Sequence, residues 1–197
     1  GFPVKTLHVE GQYIGGSAIH ALVGNIDADP KLEILASGHA QGPMYAWHSD
    51  GREVAGWPPL AGWLSNVGYV SLGEFDPANP GAEVLVGYFA ATAQEASGAI
   101  YYGNGIPFPA WPRPVGSQGT TMVADVDGNG IDDVFLGGAL RVDGTPFNQD
   151  ITPWANGAQS AAGDIDGDGT LEFVSVVNNG GGISYGYTII AQHNTGV

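Results

Sequence analysis

The feature that most constrains this chain is an acidic loop that returns four times along it. Aligned on their carboxylates, the segments GNIDADPKLEIL (24–35), GEFDPANPGAEVLV (73–86), ADVDGNGIDDVFL (124–136) and GDIDGDGTLEFVSV (163–176) share one pattern. Their first loop positions, Asn25, Glu74, Asp125 and Asp164, recur at intervals of about 40–50 residues, the length of one supersecondary unit in a repeat protein. Each loop follows a short segment of small and apolar residues (HALVG, YVSLG, TMVAD, SAAGD) and precedes a β-type run (EILAS, EVLVG, DVFLG, EFVSV). Such a unit is too thin to bury its own faces, so successive copies must pack on one another.

The rest of each repeat is strand-like as well. A third run follows in MYAWHSDG (44–51), AIYYGNG (99–105), ALRVDG (139–144) and YTIIAQHNTG (187–196). A fourth element opens on G-x-P, read as GWP at 56–58, GIP at 105–107 and GTP at 144–146. No stretch carries helical apolar spacing, and the 33 glycines and 13 prolines without a G-X-Y period point to many turns between short strands. The expected fold is all-β: a β-propeller of four four-stranded blades, one domain over 1–197, with repeats at about 18–60, 66–112, 118–150 and 157–197. Gly1-Phe2-Pro3 matches the fourth element but precedes the first loop, and the last repeat stops after its third strand. Residues 1–12 are therefore expected to supply the displaced outer strand of the last blade, within the chain or in a neighbouring subunit.

The formal net charge is −15, and most of the 20 acids lie in the four loops, with only five lysines and arginines to balance them. Carboxylates packed a few ångströms apart are costly unless a cation neutralises them. Four divalent ions would bring the net charge to about −7, an ordinary value for a soluble domain. The loop pattern D-x-D-x-D-G-x-x-[DE] delivers oxygens at alternate positions, which suits calcium and its six to eight oxygen ligands. In loop four the ligands are Asp164, Asp166, Asp168, the Thr170 carbonyl and Glu172; in loop three, Asp125, Asp127, Asn129, the Ile131 carbonyl and Asp133. Loop one offers Asn25, Asp27, Asp29, the Lys31 position and Glu33, with Pro30 in place of a glycine. Loop two offers Glu74, Asp76, Asn79 and Glu83, with one extra residue. Two to four Ca²⁺ ions are expected. Gly128, Gly130, Gly167 and Gly169 permit the positive-φ turns such loops need. EF-hand and dockerin-type loops are excluded, because position twelve is Ala36, Leu136 or Ser175 in the ungapped loops and the flanks are strands. The bland alternative is ordinary D-G and N-G hairpin turns carrying solvated acids.

These loops, with the apolar-Gly/Ala-Asp segment before them, resemble the FG-GAP repeats of integrin α-subunit propellers and the related VCBS-type repeats. The resemblance covers nearly the whole chain and is strongest in repeats three and four. It implies a β-propeller with calcium held between the first two strands of each blade. Pro30 and the loop-two insertion depart from the pattern, and four repeats are fewer than the seven usual in integrins, so ring size does not carry over.

Little else points to chemistry. There is no G-x-S-x-G elbow, P-loop or H-E-x-x-H, and the five histidines include no paired-ligand spacing, though His48 and His193 occupy matching places. The chain is expected to be non-catalytic. Cysteine is absent, so neither disulfides nor thiolate metal sites are available. The negative charge argues against nucleic acid, and no apolar run is long enough to insert in a membrane. Trp47, Trp57, Trp63, Trp111 and Trp154 could anchor a sugar or protein, but packing between blades is the preferred reading. The expectation is an extracellular, secreted or surface, calcium-stabilised module for binding or assembly. A protein or glycan partner, a homo-oligomer or filament built by strand exchange, and an accessory role beside a polysaccharide-active enzyme all fit it.

Overall fold

The computed structural model describes residues 18–38, 44–57, 65–89, 96–115, 121–136, 138–147, 159–178 and 187–192. They form thirteen strands and, among the described residues, no helix. Four antiparallel sheets follow one another along the chain, one for each acidic loop. The first holds β1 (Ala18–Gly24), β2 (Glu33–Gly38) and β3 (Met44–His48). The second holds β4 (Ser65–Gly73), β5 (Glu83–Phe89), β6 (Ala96–Tyr101) and β7 (Arg113–Pro114). The third holds β8 (Met122–Ala124), β9 (Asp133–Phe135) and β10 (Ala139–Leu140), and the fourth β11 (Gln159–Gly163), β12 (Glu172–Asn178) and β13 (Tyr187–Gln192).

Each sheet is a meander in which strand order equals chain order, as short connections require. The register is the same throughout. Gly24 pairs with Glu33, Gly73 with Glu83, Ala124 with Asp133 and Gly163 with Glu172. The acid that closes each loop therefore stands at the base of the hairpin, opposite the residue that precedes the loop. The first strands of successive sheets are spatial neighbours: β1 beside β4, β4 beside β8, β8 beside β11.

In the second and third sheets the runs after the loops are continuously apolar because both faces are covered. In β5, Val84 and Val86 face the first sheet, joining Ile26, Leu35, Met44 and Trp57; Leu85 faces the third, with Phe75, Trp111, Val134 and Leu136. In β9, Val134 faces back to the second sheet and Phe135 forward to Phe173 of the fourth. Alternation along a strand assigns successive side chains to opposite interfaces.

Backbone bonds tie neighbouring sheets in a repeating way. The Asn25 carbonyl accepts the Ala82 amide (2.9 Å), and the Glu74 carbonyl accepts that of Asp132 (2.8 Å). In both, the first loop residue of one sheet binds the residue just before the closing acid of the next. Trp57 donates its indole N–H to the Gly103 carbonyl (2.7 Å) and Trp111 to that of Val142 (2.8 Å), again from one sheet to the next. Gly103 must lack a side chain, since a Cβ there would collide with the Ile26 carbonyl of loop one.

The fourth element needs a correction. Isolated bridges join Trp47 to Glu53, Tyr101 to Pro107 and Leu140 to Pro146, so GIP and GTP are equivalent but their partner in the first sheet is Gly51–Glu53. The GWP at 56–58 instead matches Ala110–Pro112, because Trp57 and Trp111 make the same contacts. The shared tripeptide misleads because G-x-P suits two different turns. Within the described residues only the second sheet has its fourth strand, β7. Residues 1–12, His193, Trp63 and Trp154 lie outside the described residues.

Candidate metal loops

The closing acids sit at the hairpin bases, and all four are buried: Glu33 and Glu83 at 0% exposure, Asp133 at 2% and Glu172 at 4%. One oxygen of each accepts the amide of the second loop residue. The pairs are Glu33 with Ile26 (3.2 Å), Glu83 with Phe75 (2.7 Å), Asp133 with Val126 (3.1 Å) and Glu172 with Ile165 (2.8 Å). A buried carboxylate needs such donors, and this bond aims the second carboxylate oxygen at the loop's interior.

The fifth loop position has a local task as well. The side-chain oxygens of Asp29, Asn129 and Asp168 each accept the amide two residues on, of Lys31, Ile131 and Thr170, at 2.7 Å in every case. These Asx turns fix the curvature of the loop. In loop four the Asp164 carboxylate also accepts the Gly167 and Gly169 amides (2.6 and 2.9 Å), and both glycines sit at positive φ, 82° and 89°. Loop three repeats this, with Asp125 accepting from Asn129 and Gly130 (3.0 and 2.8 Å). Loop one, lacking glycine, is a nested series in which Asn25 accepts from Asp27 (3.1 Å) and Asp27 from Asp29 (2.8 Å).

Among the described residues, three groups of side chains bring ligand atoms within 4.8 Å of one another: Asp125, Asp127 and Asp133; Asp164, Asp166 and Glu172; and Asp27, Glu33 and His48. The first two are sets of hard oxygens on a tightly turned loop, a donor set that fits calcium. Asp29 and Asp168 stand outside these groups. Loop two supplies no such group. There Glu83 accepts three N–H donors, from Phe75, Asp76 (3.0 Å) and the Asn79 side chain (3.0 Å). Asp76 accepts the Tyr102 hydroxyl (3.2 Å) and the Ala78 amide (3.1 Å). Glu74 is exposed, and its amide is held by the Asp132 carboxylate (2.9 Å).

Electrostatics follow the geometry. Burial, reinforced by the charges of Asp127 and Asp125, pushes the Asp133 carboxyl up to about 7 against the opposing pull of the Val126 amide and Arg141. Burial also raises Glu83, countered by its N–H donors. A divalent cation among Asp125, Asp127 and Asp133 would reverse that shift and hold all three ionised.

One further position was noted in the sequence only for His48, as matching His193, and without its link to the acidic loops. It is the residue that faces the closing acid from the far side of the second strand: His48, Tyr102 and Arg141 in the first three sheets. The same tight turn holds all three. The His48, Tyr102 and Arg141 amides bond to the carbonyls of Arg52, Ile106 and Thr145, and their carbonyls accept from Gly51, Gly105 and Gly144. Each side chain reaches the third-position acid of its own loop. His48 Nδ1 is 3.9 Å from Asp27 Oδ2 and 3.3 Å from Glu33 Oε1; the Tyr102 hydroxyl bonds Asp76 Oδ2; Arg141 Nε is 3.6 Å from Asp127 Oδ2. The signal was available in the turn residues SDG, GNG and VDG, whose alignment puts the three in register.

The described tryptophans are not surface platforms. Trp57 and Trp111 are buried between sheets, and Trp47 is buried and stacked on Tyr45 with ring centroids 5.4 Å apart.

No protein-family model matches the sequence, and no curated protein matches it significantly. Two solved structures share its fold. The V. cholerae biofilm matrix protein Bap1 superposes with a TM-score of 0.57 at 16% identity, over 92% of this chain and 32% of that one. The exotype rhamnogalacturonan lyase YesX superposes with a TM-score of 0.57 at 19% identity, over 89% of this chain and 37% of that one. The chain thus spans about a third of the length of either protein. At these identities the likeness establishes a common all-β architecture.

Proposed function

We propose that this chain is a calcium-stabilised β-propeller segment of the FG-GAP/VCBS-like kind, a non-catalytic extracellular module for adhesion or assembly. The observation that carries the reading is the convergence of three carboxylates, one of them buried, at the same hairpin in loops three and four. Side-by-side first strands in four consecutive meanders support the propeller, since innermost blade strands succeed one another around an axis. Calcium at millimolar concentration outside cells would keep low-affinity loops loaded. The shared fold with a biofilm matrix protein fits an adhesive or structural role. Among the described residues no helix is long and apolar enough to cross a membrane.

Chelation tests the reading. Melting is followed in calcium and in EGTA, with bound calcium counted by titration calorimetry; a midpoint indifferent to chelation overturns it. The solution mass with and without calcium then separates a self-contained module from a filament subunit joined through residues 1–12. A second reading, a glycan-binding accessory domain, draws on the fold shared with a polysaccharide lyase. Glycan-array binding in calcium favours it, and the buried state of Trp47, Trp57 and Trp111 directs the search for stacking platforms elsewhere.

A further inference from the structure

We propose that the turn residue facing each closing acid sets which ion its loop takes, and that His48 makes loop one a site for an imidazole-ligated divalent metal of zinc's class. The proposal rests on reading the loops as cation sites and adds that they are not alike. Position is constant while chemistry varies: in three sheets the same hairpin delivers an imidazole, a phenol and a guanidinium to the third-position acid. A side chain that reaches this acid in each of the first three sheets stands at the ion's place or next to it.

Loop one differs from loops three and four by one replacement. Where those bring a first-position carboxylate (Asp125, Asp164), loop one brings His48. Asn25, its own first residue, uses its oxygen on the Asp27 amide and its side-chain nitrogen on the Asp29 carbonyl (2.8 Å). Two carboxylates and a neutral imidazole balance one divalent ion, whereas three carboxylates leave an excess negative charge. Imidazole nitrogen suits zinc and its neighbours, and calcium prefers oxygen. The separations are within reach as well: tetrahedral ligands with bonds of 2.0–2.1 Å lie about 3.3 Å apart, and His48 Nδ1 stands 3.3 Å from Glu33 Oε1, with which it shares a hydrogen bond in the metal-free loop, and 3.9 Å from Asp27 Oδ2. In loop three Arg141 brings its own positive charge to Asp127, and it should compete with calcium there.

The test is titration of the full chain with Zn²⁺ in millimolar calcium, which keeps the oxygen-only loops filled. One Zn²⁺ is expected to bind, with affinity falling by more than about a hundredfold in His48→Gln and in Asp27→Asn, beyond the roughly 10–100-fold that loss of an outer partner produces. Glu53→Gln, an exposed acid of the same sheet outside the group, should keep the zinc site. Arg141→Gln should tighten calcium binding at loop three. Co²⁺ loaded into the unaltered chain gives a second readout: intense visible d–d bands mark a low-coordinate site with nitrogen. Zinc affinity unchanged in His48→Gln, or lost equally in Glu53→Gln, overturns the proposal. So do weak octahedral Co²⁺ bands. Calcium uptake sensitive to Asp166→Ala but no zinc uptake sinks this inference and leaves the calcium reading standing, whereas loss of both ions sinks the two together.

Discussion

Loop two and loop four lie on the same hairpin, between the first and second strands of their sheets, and each ends on a buried glutamate. In loop two the Glu83 carboxylate is surrounded by three N–H donors, one from Asn79, while the Tyr102 hydroxyl turns to Asp76. In loop four the Asp164, Asp166 and Glu172 carboxylates converge on one another. Neutral donors stabilise the first arrangement at any calcium concentration. The second holds like charges together, and a bound cation would relieve their mutual repulsion. Loop two also carries one extra residue, and there Asn79 places its side-chain amide on the closing acid (3.0 Å).

The broadest way to break this comparison is chelation. One site saturated a hundredfold above its Kd contributes about 2.7 kcal/mol, or roughly 5–10 °C in a chain of this size. In Asp166→Ala that calcium-dependent increment should shrink, while in Asp76→Ala it should persist; equal losses in the two would remove the distinction between the loops.

Next in size is a pair of isosteric changes. Glu83→Gln places an amide against N–H donors and should cost about 1–3 kcal/mol with or without calcium. Glu172→Gln should cost a similar amount in calcium and much less in EGTA. Urea unfolding under both conditions reads the difference directly, and a calcium-dependent penalty for Glu83→Gln counts against the self-sufficient loop.

Acid should sharpen the contrast. The folded Asp133 carboxyl stands near 7, above its ordinary 3.8, so its ionisation penalises the metal-free fold fully above pH 7 and not at all below about 4. Stability in EGTA should therefore rise as pH falls from 8 to 5, while calcium-loaded protein should lose stability over the same range as protons displace the ion. Parallel pH profiles would contradict this.

The smallest expected effect comes from Asn79→Asp, which removes the donor from Glu83 and adds a carboxylate. It should lower the unfolding free energy in EGTA by about 1 kcal/mol, the scale of one hydrogen bond, and make loop two calcium-responsive. Calorimetry would then count one more bound calcium than in the parent chain; an unchanged count refutes the idea that Asn79 is what closes the loop.

Much of this was legible in the one-dimensional pattern. Four acidic segments, each between a small-residue run and an apolar run, specify four hairpins, because local chemistry alone dictates a tight turn with Asx bonds and glycines at positive φ. The continuous apolar runs of β5 and β9 likewise signalled sheets covered on both faces. G-x-P misled, since a tripeptide marks a turn without saying which one, and only the bridges at Glu53, Pro107 and Pro146 resolved the register.

What the sequence by itself determined is therefore local: the number of loops, their strands, and the acids that close them. The tertiary structure decided which oxygens meet. Whether Asp29 or His48 joins Glu33, whether Arg141 leans on Asp127, and whether Asn79 donates to Glu83 all depend on strand register and on the turn after the third strand. Those are contacts between residues up to fifteen positions apart, set by pairing across a sheet, and no spacing along the chain encodes them.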